Sequence, residues 1–357
     1  MESFIDRTKV ADDLINACFI VDDTPVNATY WAQLQQSAAG YDTPDTGWAT
    51  RWRDMAPASL LRVKDAERFA DMIEEFGIRG KFTCLPCPAA LGRVDQAVRG
   101  FSDDDLKRIL SIIRDRIAKQ MDITPEVLTH TQPYDPETGA RLPHAETFWL
   151  THLCVTGQAE KLRAYLRHAW KILSNVGIRA RGLTVGGMSD FSGIAQGKSL
   201  ACGDGRDVLG EALIAIEREF NPKVHASFIY TGAPSYTEEG KRKRAPETVF
   251  KAGDGAVVHE LQSIVDDPIF PVILGPCDVV AKTTDALISP GLDRGLLVDE
   301  AESGRAVVFT VHCQTLVALD SGVGLDIMHE VCRRLKERYG KRLVWHTALE
   351  LCSAIGV

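Results

Sequence analysis

The chain has 357 residues, of which 45% are hydrophobic and 25% are charged, the composition of an ordinary globular protein. Its formal net charge of −8 argues against nucleic acid or an anionic membrane as the main partner. No apolar run is long enough to predict a membrane-spanning helix, and the acidic N-terminus does not resemble a secretory signal. The nine cysteines, an odd count, are typical of reduced thiols, so we expect a cytoplasmic protein.

The first predicted element is a buried strand that ends in two aspartates. An apolar run at residues 17–21 is followed by Asp22 and Asp23, and Pro25 then stops the strand. In parallel α/β proteins, ligands bind at the carboxyl ends of the strands. Two acids there can divide the work, since one can bind a cation while the other acts as a base. A solvated turn is the alternative, because Asp-Asp-Thr-Pro also suits a turn.

A long polar and aromatic stretch follows at residues 28–57. It holds three of the six tryptophans, including Trp31 and Trp48, and shows no helical or strand period, so we predict a loop. Its flat rings can form one wall of a ligand site. They can equally form a small hydrophobic cluster beneath the loop.

Beyond this loop, the chain alternates between amphipathic helices and short apolar strands. Helices are predicted at about residues 63–76, 102–117, 158–175, 209–220 and 325–335. Strands are predicted near residues 81–85, 127–128, 183–185, 224–230, 307–312 and 343–345. Strands that alternate with helices imply parallel pairing with the helices outside, so we predict an α/β fold in the form of a distorted (β/α) barrel.

The region at about residues 231–304 breaks this alternation and is predicted to be an irregular insertion. It contains a basic run at residues 241–244, interpreted as a solvated loop, and two predicted strands at residues 256–261 and 270–274. No stretch has the composition of an interdomain linker. We therefore predict a single barrel domain over residues 1–357.

Two histidines are predicted to lie at further strand ends. His130 follows the predicted strand at residues 127–128, and His312 ends the apolar run that begins at Val307. Histidine at such a position commonly binds a metal or transfers a proton. If the strands are parallel, both histidines belong to the same sheet edge as Asp22 and Asp23.

The order of these motifs resembles that of the polysaccharide deacetylase superfamily. Asp22 and Asp23 after an apolar strand resemble its paired-aspartate motif, His130 with the following threonine resembles its second motif, and Val311-His312 resembles its late Leu-x-His motif. The resemblance spans roughly residues 15–350. Members of that family have a distorted (β/α) barrel and bind a divalent metal, usually zinc.

The resemblance implies a role for each matching residue. Asp22 would be the general base, Asp23 and His130 would bind the metal, and His312 would be the general acid. The implied activity is metal-dependent hydrolysis of an N-acyl bond, a non-peptide carbon–nitrogen bond, in a sugar-like or small polar substrate.

The sequence departs from the family at the second metal-binding histidine, whose position falls near Tyr134. Phenol is a poor ligand when neutral, so the adjacent Asp135 is the candidate replacement. Candidate substrate-binding residues are Trp31, Trp48, Tyr134 and, in a predicted strand, His259.

Two alternatives stay open from the sequence. The first is a degenerate carbohydrate-binding barrel without a metal, which Tyr134 favours. The second is a thiol oxidoreductase that uses Cys84 and Cys87, which have the spacing of a redox dithiol. The expected partner is a small molecule or carbohydrate, and the oligomeric state is left open, a homo-oligomer included.

Overall fold

The computed structural model describes residues 14–26, 60–131, 133–142, 146–185, 203–232, 246–263, 278–317 and 322–355. Its strands are β1 (Ile15–Asp22), β2 (Gly80–Thr83), β3 (Gly92–Arg93), β4 (Ala97–Val98), β5 (Met121–Thr124), β6 (Leu183–Thr184), β7 (Ala226–Tyr230), β8 (Glu247–Lys251), β9 (Val257–Leu261), β10 (Val307–His312) and β11 (Leu343–Trp345). Its helices are α1 (Val63–Phe76), α2 (Asp103–Asp115), α3 (Glu146–Val155), α4 (Ala159–Asn175), α5 (Gly203–Phe220), α6 (Asp278–Leu287), α7 (Leu296–Glu302), α8 (Cys313–Val317), α9 (Val323–Tyr339) and α10 (Ala348–Ile355).

The strands form two main sheets in which most pairs are parallel. One has the order β10-β1-β2-β5, with β11 also paired to β1, and the other has the order β6-β7-β9-β8 with β8 antiparallel. Parallel bridges Ile123–Ala180 and Glu126–Thr184 connect the end of β5 with β6. These pairings confirm an α/β fold with parallel strands. Among the described residues β9 and β10 are not paired, so a closed barrel stays a prediction.

Helices α1 and α2 form where apolar residues recur at helical spacing. In α1, Phe69 and Ile73 are fully buried, and burial of each such side chain stabilises the fold by about 1.5–3 kcal/mol. The helix ends at Gly77, whose φ of 64° suits a residue without a Cβ. The predicted start of α2 is also confirmed, because Ser102 Oγ accepts the Asp105 N–H at 3.1 Å.

The prediction of a strand at residues 127–128 is wrong. The strand is β5, which ends at Thr124, and the chain then runs as a loop in which Val127 and His130 have φ values of 43° and 59°. Pro125 has no N–H for a ladder, and left-handed residues cannot continue a strand. His130 therefore lies six residues beyond the strand, not at its end.

Side chains of both sheets meet in one apolar cluster against α10. Because β1 and β10 lie in one sheet and β7 and β9 in the other, this cluster joins the two halves of the fold. Its buried members are Cys18, Ile20, Phe228, Tyr230, Leu261, Val308, Ala348, Leu351 and Cys352. The strand β1, which ends at Asp22, is thereby packed against the other sheet.

Within residues 231–304 the structure places β8, β9, α6 and α7, so the predicted strand at residues 256–261 is confirmed as β9. The aromatic loop at residues 28–57, the basic run and the predicted strand at residues 270–274 lie outside the described residues. None of the helices in the described ranges is both long and apolar enough to cross a membrane.

Candidate metal centre

Asp23 leaves the direction of β1 because its backbone is left-handed, with a φ of 62°. Aspartate tolerates this conformation better than most residues. The Asp23 N–H then donates to Glu126 Oε2 at 3.2 Å, across the gap between the segments that follow β1 and β5. The Leu85 N–H donates to the Thr24 carbonyl at 2.8 Å and fixes the same turn from the side of β2. Three loops thus converge on Asp23.

The His130 imidazole lies between two carboxylates. Its Nε2 is 3.3 Å from Asp23 Oδ1, and its Nδ1 is 3.0 Å from Glu126 Oε1. One ligand atom from each of these three residues lies within 4.8 Å of the other two, so Asp23, Glu126 and His130 form a group that could hold a metal ion. We call this group the metal centre.

Burial and charge act in opposite directions at the metal centre. Burial opposes the charged form of His130, but the carboxylates of Glu126 and Asp23 outweigh it and raise the pKa of His130 to about 10. Burial raises the pKa of Asp23 to about 7, against the lowering effects of His130 and His312. Burial also opposes ionisation of Glu126, yet the neighbouring His130 brings its pKa down to about 2. Without an ion, the imidazole is therefore a cation held by carboxylates.

The residues present fit a divalent cation. When two neighbouring ligand atoms each bond the same metal ion at roughly 2.0–2.2 Å, these atoms lie about 3 Å apart. The separation of Asp23 Oδ1 and His130 Nε2 is close to that distance. Asp23 and Glu126 keep only 2% of their side-chain area exposed, whereas His130 keeps 18%, so the buried side of the site is negative. Carboxylates with one imidazole suit several divalent metals and do not select zinc.

Sequence reasoning missed Glu126, although a signal was present. Thr124-Pro125 before Glu126 repeats the Thr24-Pro25 pair that follows Asp23, and Glu126 precedes His130 by four residues. Because the strand was predicted at residues 127–128, Glu126 fell before the strand and not after its carboxyl end. With β5 ending at Thr124, the same strand-end argument selects Glu126.

Asp22, beside Asp23 in the sequence, belongs to a different group of contacts. Its Oδ1 accepts from Lys81 Nζ and, at 2.7 Å, from Thr83 Oγ1. Lys81 is fully buried in β2, and its ammonium lies 4.3 Å from the centre of the Tyr230 ring. Within the described residues both of these bonds end on Oδ1 and none is made to Oδ2.

His312 ends β10 directly opposite Asp22, its partner in the parallel register. It is partly exposed, and its charge lowers the pKa of both Asp23 and Glu126. The structure therefore brings Asp22, Asp23, His130 and His312 together at one edge of the sheet. Their chemical roles stay predictions.

Asp135 and Tyr134 are not part of the metal centre. Asp135 Oδ1 accepts the backbone N–H groups of Glu137 and Thr138 at 2.8 and 2.9 Å, which closes a local turn. Asp135 lines a groove of about 690 Å³ beside α3 and α4, whose lining includes none of the metal-centre residues. The Tyr134 hydroxyl lies 2.8 Å from Cys87 Sγ.

Of the remaining substrate-binding predictions, only His259 lies within the described residues. His259 is buried in β9, where its Nδ1 hydrogen-bonds Thr248 Oγ1 of β8 at 3.1 Å. Trp31 and Trp48 lie outside the described residues.

Cys84 and Cys87 are free and buried. Burial raises the pKa of each thiol to about 12, and for Cys87 it outweighs the lowering effect of the Tyr134 hydrogen bond. A redox-active dithiol needs a depressed pKa, because the thiolate is the reactive form. These contacts give the thiol oxidoreductase hypothesis no support.

No protein-family model matches the chain, and no curated protein matches it. Among solved structures, the chain is similar to a protein from Mycobacterium smegmatis whose crystal structure is described as that of a "putative polysaccharide deacetylase". The two align with 12% sequence identity and a TM-score of 0.43, over 97% of this chain and 96% of that one. Such a likeness assigns no activity, so the residues of the site have to carry the functional argument.

Proposed function

We propose that this protein is a metal-dependent hydrolase that cleaves an N-acyl bond in a sugar-like or small polar substrate. The observation that carries the proposal is the convergence of the metal centre, Asp22 and His312 at one sheet edge. The substrate class is supported by the resemblance of the paired-aspartate and histidine motifs to those of polysaccharide deacetylases.

Asp23 and His130 are the proposed direct ligands of a divalent cation. The ligand atom of His130 is Nε2, because Glu126 occupies Nδ1. A carboxylate on the second ring nitrogen is the usual partner of a metal-binding histidine, since it fixes the tautomer and the ring orientation. An ion bound there supplies Lewis-acid chemistry that polarises a substrate carbonyl.

Asp22 is the proposed general base. Lys81 and Thr83 hold Oδ1, so the carboxylate is fixed in direction while Oδ2 faces no donor among the described residues. We assign to Oδ2 the proton of the attacking water.

His312 is the proposed general acid. It stands opposite Asp22 on β10 and is partly exposed, so a substrate can reach it. We assign to it the proton that the leaving nitrogen takes up as the carbon–nitrogen bond breaks.

Release of free amine from a panel of N-acetylated sugars, with manganese, cobalt or zinc added, tests the proposal. We expect release that a chelator abolishes, and a loss of roughly a hundredfold or more in Asp22→Asn and His312→Asn. Arg108→Gln is the matched surface control, because its partner Glu67 lies away from the site on α1. Amine release that survives both the chelator and the two substitutions would reject the proposal.

A carbohydrate-binding barrel without catalysis is the second candidate. One observation favours it: the imidazole of His130 already satisfies both of its nitrogens on carboxylates without an ion. Elemental analysis separates the candidates, because the hydrolase binds a divalent cation and the metal-free barrel does not.

A further inference from the structure

A buried carboxylate from α3 binds the loop that carries His130. Glu146 Oε1 accepts the N–H of Leu128 at 3.2 Å and of Thr129 at 3.0 Å, while Oε2 accepts the N–H of Thr129 and of His130. Tyr165 of α4 donates its hydroxyl to Oε1 as well. Glu146 and Tyr165 are each only 1% exposed.

Three successive backbone N–H groups that point at one anion form a nest. Here the nest is built by a loop with left-handed residues at Val127 and His130, and the protein fills it with its own carboxylate. Every partner of Glu146 in this arrangement is a donor, so both oxygens must act as acceptors. A carboxylate satisfies that requirement at both oxygens, whereas an amide would present a hydrogen to a backbone donor.

The contacts of Glu146 act on the orientation of His130. The carbonyls of Leu128 and Thr129 accept the N–H groups of Cys87 and Ala89 at 2.9 and 3.0 Å, which pins one side of the loop. Glu146 pins the other side and binds the N–H of His130 itself. The left-handed φ of 59° that turns the imidazole towards Asp23 is held between these two sets of bonds.

We infer that Glu146 is a positioning residue for His130, and that Tyr165 supports it. Glu146 accepts from backbone N–H groups of residues 128–130 and from Tyr165, so it acts on the imidazole through the loop. The prediction that loss of Glu146 weakens metal binding rests on the proposed function. The prediction that Glu146 holds the loop does not rest on it.

The experiment compares Glu146→Gln and Tyr165→Phe with a matched control, Glu217→Gln. Glu217 is also a buried carboxylate that accepts a backbone N–H, from Gly182, and a hydroxyl, from Ser227 at 2.9 Å. Its donors belong to β7 and the turn before β6, not to the metal centre. Two quantities are measured on the folded full-length variants: manganese and zinc affinity by calorimetry, and hydrogen exchange of the amides of residues 128–130.

We expect Glu146→Gln to weaken manganese and zinc binding roughly tenfold to a hundredfold and to speed the exchange of the three amides. Tyr165→Phe should also weaken metal binding and speed amide exchange, by a smaller factor of roughly threefold to tenfold. Glu217→Gln should change neither, although it lowers stability.

Two results would overturn the inference: unchanged amide exchange in Glu146→Gln, or faster exchange with unchanged metal affinity. Failure of the wild-type protein to bind either ion would instead contradict the proposed function. In that case the amide exchange alone would decide whether Glu146 holds the loop.

Discussion

Asp22 and Asp23 are neighbours in the sequence and both are buried, yet they enter opposite electrostatic surroundings. Asp22 stays in the strand and meets the buried ammonium of Lys81. Asp23 turns into the left-handed region and meets a second carboxylate, Glu126, with His130 between them.

The difference follows from one backbone rotation and assigns different chemistry to the two acids. At Asp22 one negative charge faces one positive charge, so the pair is balanced. At Asp23 the carboxylates of Asp23 and Glu126 flank the His130 imidazole, so negative charge is in excess once that imidazole is neutral. Excess buried negative charge favours a cation, which is why the metal is proposed at Asp23 and the base at Asp22.

The largest expected effect on stability comes from removing the ammonium group of Lys81, the partner of Asp22. Lys81→Met should lower the free energy of unfolding by about 3–5 kcal/mol, because the Asp22 carboxylate is left buried and unpaired. Denaturant unfolding near neutral pH measures this loss.

The double variant Lys81→Met/Asp22→Asn is the control for that loss. It should recover much of the stability, since no charge remains unpaired. A double variant as unstable as the single one would mean that packing of the lysine stem, not charge balance, distinguishes Asp22 from Asp23.

The second prediction concerns pH. Because the carboxylates raise the pKa of His130 to about 10, the metal-free protein keeps a proton that a metal on Nε2 must displace. Metal affinity should therefore rise about tenfold per pH unit above neutrality, up to roughly that pKa, as expected when one proton is released.

Calorimetry in two buffers of different ionisation enthalpy counts the protons released on metal binding. The same titration of His130→Asn removes the titrating group and should flatten the pH dependence. A pH-independent affinity in the wild-type protein would contradict binding through the His130 imidazole.

Glu126→Gln tests whether Glu126 binds the metal directly or only orients His130, and its expected effect on metal affinity is smaller. If Glu126 only accepts the Nδ1–H of His130, the glutamine carbonyl can still accept it, and we expect a loss in metal affinity of roughly tenfold. A direct ligand would cost far more. A loss as large as that caused by substitution of Asp23 would move Glu126 into the coordination sphere.

Cys84→Ala should have the smallest effect. The thiol is buried with a pKa of about 12, so we expect amine release per folded molecule to stay within about twofold of wild type. Loss of activity in a variant that folds normally would revive the thiol hypothesis.

Much of the fold can be predicted from the spacing of apolar residues in the sequence. The candidate site can be predicted only in part. The spacing of Phe69 and Ile73 predicts α1, and the apolar run before Asp22 predicts β1, because burial itself imposes these patterns. By contrast, α3 was not predicted, since its apolar residues are spread around the helix and leave no stripe to detect.

Among the partners of the predicted site residues, Glu126 leaves a signal in the sequence, whereas Lys81 and Glu146 leave none. Lys81, Glu126 and Glu146 are each polar residues whose role depends on where a loop or a neighbouring strand brings them. Left-handed backbone at Asp23 and His130 decides the contacts of Glu126 and Glu146, and no hydrophobic pattern encodes it. The motif order therefore placed Asp23 and His130 near each other but did not supply the carboxylates around them.

Metal binding by the wild-type protein and by Asp23→Asn, measured by elemental analysis and by titration with manganese or zinc, tests the central claim most directly. The account predicts about one bound ion per chain in the wild-type protein and a loss of affinity of at least roughly a hundredfold in the variant. Equal binding by both proteins, or none by the wild type, would contradict it.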